Sequence, residues 1–262
     1  MFEVIRSRNL RTKAEPVQPG NPHRLTVRQH VFPRKSIQRF ANDRDFVDLV
    51  DGLRKTIRPA KAGDKIFCAD RAWDERTEAG FMKSAEDNFQ ALADEIAEGR
   101  NAPLTAEENF AVSMFYSMWH VRSRQRELPD QFLKFHGVTG QALTKNEHEI
   151  LEVRGALAFR HDGSVAARHL NGLQIQLKAS KIASKRLKDV RWGIIRAFSG
   201  EFCVPDVPVQ IVIPVTPSVC LVENAASGTI SAENVAAINR GAVFTSQKYF
   251  FARDVKGCGL GL

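Results

Sequence analysis

The feature that most constrains this chain is a change of hydrophobic period near Val190. Upstream, apolar residues recur every three or four positions; downstream, they form short β-rich runs cut by proline and glycine. Helical repeats followed by punctuated strands predict an α+β fold. Its helical N-terminal and middle part should pack on a mostly antiparallel β-sheet built largely from the C-terminal third.

The clearest early helix is Phe81–Ala97, where Ala85, Phe89, Leu92, Ala93 and Ile96 share one face and Gly99 is a stop. A second helix starts at Thr105, which forms a capping box with Glu108. Phe110, Ala111, Met114, Phe115, Met118 and Val121 form its apolar stripe, and Pro129 limits its length. Leu143–Phe159 and Arg168–Arg186 also read as helices, interrupted at His161–Ser164. Phe46–Val50, Lys65–Phe67, Trp192–Phe198, Val209–Ile213, Ser218–Val222 and Gln247–Arg253 read as strands, and Ser231–Arg240 as a Ser-capped helix. Residues 1–25 form an irregular basic arm, 26–254 a single domain, and 255–262 a flexible, glycine-rich tail.

Composition excludes several classes. At 43% apolar and 26% charged residues the chain is neither disordered nor fibrous. It contains no apolar run near membrane-spanning length, and no apolar segment follows its basic N-terminus, so a cytoplasmic protein without membrane contact is expected. Cys68, Cys203, Cys220 and Cys258 stand far apart without metal-ligand spacing, which predicts free thiols and no metal or cofactor. The formal charge of +8 is concentrated. Residues 1–40 carry nine Lys/Arg against two acids, and Lys178–Arg196 carries seven against one. Within the second cluster, Lys178, Lys181, Lys185 and Arg186 are the candidate contacts for nucleic acid or another polyanion.

Three fragments hold the candidate site residues: Gln29–Phe40, Tyr116–Ser123 and Phe202–Pro217. Arg122 continues the helical stripe of Phe115 and Met118, while Glu86 shares a face with Met82, Phe89 and Ala93. A guanidinium on an apolar face either pairs with a carboxylate, with Glu86 first and Asp206 second in line, or reaches back to solvent. His30 lies near cations and is a candidate general base, although such histidines commonly bond a backbone carbonyl. No nucleophile elbow, HExxH, Walker loop or dinucleotide-binding GxGxxG occurs.

Taken together, these fragments resemble the bacterial family catalogued as domain of unknown function 4238, over roughly residues 26–252. The resemblance is carried by His30, Pro33, Ile37, Arg39 and Phe40, by Glu86 and Arg122-Ser123, and by Asp206, Pro214, Pro217 and Asn239. Pro205 and Val207 depart from it, standing where family members have Ser and Asn. The resemblance implies kinship of fold and carries no established activity. Two functions remain open. One is a non-catalytic binding or regulatory module, in which these residues form a buried polar network. The other is a nucleic-acid-acting enzyme with nuclease-like phosphodiester chemistry. There His30 moves a proton, Arg39 and Arg122 stabilise phosphate charge, and Asp206 orients a partner.

Overall fold

The computed structural model describes residues 2–4, 15–52, 54, 56–127, 131–208 and 210–262. Pro129, Val209 and part of the expected arm lie outside them. The fold is α+β, with six α-helices among the described residues: α1 (Arg34–Gln38), α2 (Lys83–Ala97), α3 (Ala106–Gln125), α4 (Lys145–Val153), α5 (Ala167–Lys181) and α6 (Ala232–Thr245). No helix among the described residues is long and apolar enough to cross a membrane. The described residues, including those of the domain expected over 26–254, cluster into two compact units. The first comprises the described part of Met1–Gln29 with Cys68–Ser84 and Gln125–Lys178. The second comprises His30–Phe67, Ala85–Arg124 and Ala179–Leu262.

The second unit contains two four-stranded sheets. One runs Val212–Thr216, Val219–Glu223, Trp192–Ala197, Gly228–Ile230, with only the last pair parallel. The other runs Ile57–Ala60, Val47–Asp51, Tyr249–Ala252, Val204–Pro205 and is antiparallel. Pro59, Pro205 and Pro214 all fall on edge strands, where a missing N–H costs no central ladder bond. Phe251 packs edge-on against Phe40 and Phe67, and Phe89 stacks on Phe115 with ring centroids 3.6 Å apart. Lys65–Phe67 is a 3₁₀ turn and not a strand, because the Asp64 carboxylate accepts the Ile66 N–H and closes the chain on itself.

The α3 stripe differs from the sequence reading. Phe110 is 49% exposed, whereas Val112, Ser113, Tyr116, Ser117 and Trp119 are buried beside Phe115 and Met118. A helix buried on most of its circumference has no single apolar face for periodicity to find. Its small hydroxyls and amides serve the sheet instead: Trp192 donates its backbone N–H to Asn109 (2.7 Å) and its indole N–H to Ser113 (2.9 Å).

The first unit holds a three-stranded antiparallel sheet, Phe2–Val4, Phe132–Phe135, Ser164–Ala166, together with α4 and α5 as far as Lys178. α4 ends six residues before the expected Phe159, because Gly155 takes a left-handed φ of +73°. The His161–Ser164 turn is held by Asp162, which accepts from the Ser164 N–H and hydroxyl. Gly163 is required there: a Cβ would meet the Val138 carbonyl oxygen at 2.2 Å.

Of the tail expected to be flexible over 255–262, the first half packs, while Gly259, Gly261 and Leu262 are exposed. Val255–Cys258 forms a 3₁₀ turn with Val255 and Cys258 buried. Asn239 of α6 holds it in place. Its amide donates to the Glu201 and Cys258 carbonyls (2.7 and 2.9 Å), and its oxygen accepts the Cys203 N–H (2.9 Å). Asn239→Ala should therefore strand three backbone groups and cost about 3–5 kcal/mol. Urea unfolding checks this, and a loss below about 1 kcal/mol would show that the clamp contributes little.

Candidate functional site

In the second unit, α2 and α3 bring Glu86 to Arg122. The guanidinium is 1% exposed and its Nη1 donates to Glu86 Oε1, so the buried, paired alternative holds. His30 shares this neighbourhood. Burial lowers its pKa most, while the charges of Glu86, Arg34 and Arg122 also act on it. Its Nε2 lies 3.0 Å from the Ala62 carbonyl, which can only accept, so Nε2 carries the proton and Nδ1 is the basic nitrogen. His120 is held similarly by the Pro208 carbonyl (3.0 Å).

The other expected residues stand in different settings. Arg39 joins α1 to α2 through the Gln90 carbonyl and Asp94 (3.3 and 2.8 Å), and Lys35 shares that carboxylate. Asp206 accepts the Gln247 and Lys248 backbone N–H groups, each at 2.9 Å, so it fixes the entry to the Tyr249–Ala252 strand. Asn239 is the clamp described above. Lys181, Lys185 and Arg186 are exposed on the second unit, and Lys178 is exposed at the end of the first.

Sequence reasoning missed a larger assembly in the first unit. Glu152 of α4, with its side chain 3% exposed, accepts from Arg71 (2.7 Å) and from Arg168 Nη2 (2.9 Å). Glu15 accepts from Arg160 (2.5 Å) and from Arg168 Nη1 (3.1 Å). Arg71 Nη1 also donates to the Glu15 backbone carbonyl (2.9 Å). Three arginines and two glutamates thus form one chain of charge-assisted bonds, drawn from positions up to 153 residues apart. Arg71 adopts φ +43°, an unfavourable left-handed conformation for a side chain of this size.

Glu15, Arg71, Arg160 and Arg168 of this assembly line an open cleft of about 710 Å³, together with Phe132, Lys145, His148, Glu149, His161 and Asp162. Arg160 lies over the Phe132 ring, 4.1 Å from its centroid. Burial alone would raise both glutamates. For Glu152 the bonds and charges of Arg168, then Arg71 and His169, outweigh it; for Glu15, Arg168 and Arg160 do so. Both acids stay below the usual range. His169 is pushed down to about 4, first by burial and then by Arg168. Burial, followed by Arg160, likewise keeps His148 low. At neutral pH the cleft therefore presents guanidinium cations, the ionised Glu15 carboxylate and the neutral His148 imidazole. Among the described residues, no group of three or more His, Cys, Asp or Glu is arranged to hold a metal ion.

A lone Arg71, or an α4 whose Glu149 and Glu152 look like surface acids, carries no sequence signal of this kind. The one available hint was the Arg160-His161-Asp162-Gly163-Ser164 turn, polar residues locked around a required glycine. Comparisons of the chain with family models, curated proteins and solved structures return no match.

Two predictions follow from burial and charge. Arg122→Met should cost about 3–5 kcal/mol by leaving Glu86 unpaired, and Arg122→Lys should also destabilise because ammonium lacks the planar fork. Adding Glu86→Gln to Arg122→Met should recover more than half of the loss; a purely additive double mutant in denaturant titration would refute coupling. The second concerns acid. Glu15 and Glu152 have depressed folded pKa values, so their contribution is present above the unfolded value of 4.5 and is lost as pH falls through the folded one. His169 acts in the same direction, with stability lost as pH drops from 6.5 towards about 4. Asp74, which burial raises, has the opposite sign. Net acid destabilisation is expected from pH 6.5 downward, and His169→Gln should flatten its upper part in melting curves. An unchanged slope in that variant would remove His169 from the account.

Proposed function

We propose that the protein is a non-catalytic binding module that holds an anionic ligand in the cleft of its first unit. The observation that carries this reading is the buried Arg71–Glu152–Arg168 core behind an open cleft whose lining sets Arg71, Arg160, Arg168 and Lys145 against the acids Glu15, Glu149 and Asp162. Breaking such a core leaves an uncompensated buried charge, so its geometry is held firmly. A guanidinium fixed in this way meets a carboxylate or phosphate without the entropy loss of ordering a free side chain. Lys145 adds a point charge on the same wall. We keep kinship with the 4238 family and a cytoplasmic setting as part of this reading, the latter because all four thiols are free and buried.

A second reading, nuclease-like chemistry, is favoured by one observation: His30 is neutral, with Nδ1 as its base, beside the Arg122–Glu86 pair. The exposed Lys181, Lys185 and Arg186 would then attract a nucleic-acid backbone.

Calorimetric titration with citrate and with AMP tests the first reading. Weak binding is expected, reduced several-fold by Lys145→Ala, with both probes recovered unchanged. Identical behaviour of wild type and Lys145→Ala would reject the cleft as the site. Incubation with single-stranded RNA and duplex DNA tests the second reading. Cleavage that disappears in His30→Gln would replace the binding reading with an enzymatic one. Binding without cleavage that weakens strongly between about 50 and 200 mM salt would assign the basic residues to a polyanion contact.

A further inference from the structure

The two glutamates of the cleft network are not equivalent. Glu152 lies within α4 with its side chain 3% exposed and locks Arg71 and Arg168 from behind. Glu15 is 24% exposed, faces the cleft, and reaches its arginines from a segment far away in sequence. Its partner Arg160 is 38% exposed. The same segment is tied down at Gln18, whose backbone N–H and side-chain amide donate to the two oxygens of Glu149 (2.8 and 2.9 Å). Residues 15–18 therefore form a strap anchored on α4, and the strap presents a carboxylate to Arg160 and Arg168.

We propose that Glu15 is a built-in occupant of an anion subsite formed by Arg160 and Arg168, and that the natural ligand is a small organic oxyanion which displaces it. This rests on the binding reading above and specifies its ligand class. The carboxylate of Glu15 shows what the subsite accepts: one oxygen on Arg160 Nη2 at 2.5 Å and the other on Arg168 Nη1 at 3.1 Å. A phosphate monoester or a ligand carboxylate offers the same pair of oxygens. Charge supports the exchange, since the arginines hold this acid in its ionised form despite its burial.

Competition also fixes what else the ligand must carry. Replacing one carboxylate by another is nearly neutral in contact energy, while Glu15 has the advantage of tethering at a high effective concentration. A single-charge anion such as acetate gains nothing to offset that advantage. A ligand with a second anionic group can also reach Lys145, with His148 and His161 as hydrogen-bonding neighbours on the same lining. A cleft of about 710 Å³ admits a body the size of a mononucleotide or a tricarboxylate. The subsite is thus expected to select a compact, multiply charged oxyanion.

The test compares wild type, Glu15→Gln and the double variant Glu15→Gln/Arg160→Gln by calorimetry with citrate, AMP and acetate. Removing the tethered charge should tighten citrate or AMP binding by about tenfold or more, leave acetate weak, and lose the gain when Arg160 is also replaced. Citrate alone gaining would assign a carboxylate ligand, and AMP alone a phosphate monoester. Thermal melting keeps the result interpretable. Glu15→Gln should melt lower than wild type without ligand and recover on adding the tighter probe. Equal affinities in wild type and Glu15→Gln would overturn Glu15 as occupant while leaving the cleft a binding site. No binding of any probe to either protein would overturn both.

Discussion

A guanidinium removed from water must be met by a carboxylate, and both units are organised around that requirement. An unpaired buried charge costs several kcal/mol, comparable to a large share of a domain's total stability. In the second unit the requirement ties α3 to α2 through Arg122 and Glu86. In the first it gathers Arg71, Arg168 and Glu152 at one point. A hydrophobic contact accepts many registers, whereas a bonded ion pair accepts few. These pairs therefore act more as specifiers of geometry than as sources of net stability.

Secondary structure was legible where local chemistry decides it. The capping residues Thr105 and Ser231 stand where the sequence places them, because a hydroxyl satisfying a free N–H is a property of four consecutive residues. The strand prolines are likewise consistent with their edge positions. Legibility failed on α3, where Phe110 was assigned to the core and Tyr116 and Trp119 were not. Periodicity reports a difference between two faces, and a helix enclosed on most sides has little difference to report. It failed again at Lys65–Phe67, three residues whose fate is set by the Asp64 side chain and not by their own propensity.

The candidate residues divide along the same line. Arg122 and Glu86 were readable because helical phase places both on packed faces, which makes their pairing a local inference repeated twice. His30 meets Ala62 and senses Glu86 and Arg122, an association that needed only one further element. The cleft network has no such shortcut. Glu15 lies 145 residues from Arg160 and 153 from Arg168, and no period, cap or turn signal links positions so far apart. Arg71 gives no warning either, since its left-handed backbone is imposed by its surroundings, and an isolated arginine in a sequence reads as surface.

The difference between the inner and outer glutamate has a mechanistic consequence. If both carboxylates were as buried as Glu152, the network would be a closed structural core with no reason to border a cleft. If both were as exposed as Glu15, the arginines would lack a fixed frame and would meet a ligand only after losing side-chain entropy. One acid sets the position of Arg168 and the other covers its outward face, so the frame persists when the outer partner leaves. A wall built in this way can exchange an internal anion for an external one without unfolding. That requirement for exchange, more than the number of cations present, distinguishes the cleft from the Arg122–Glu86 pair, whose guanidinium is buried at 1% exposure.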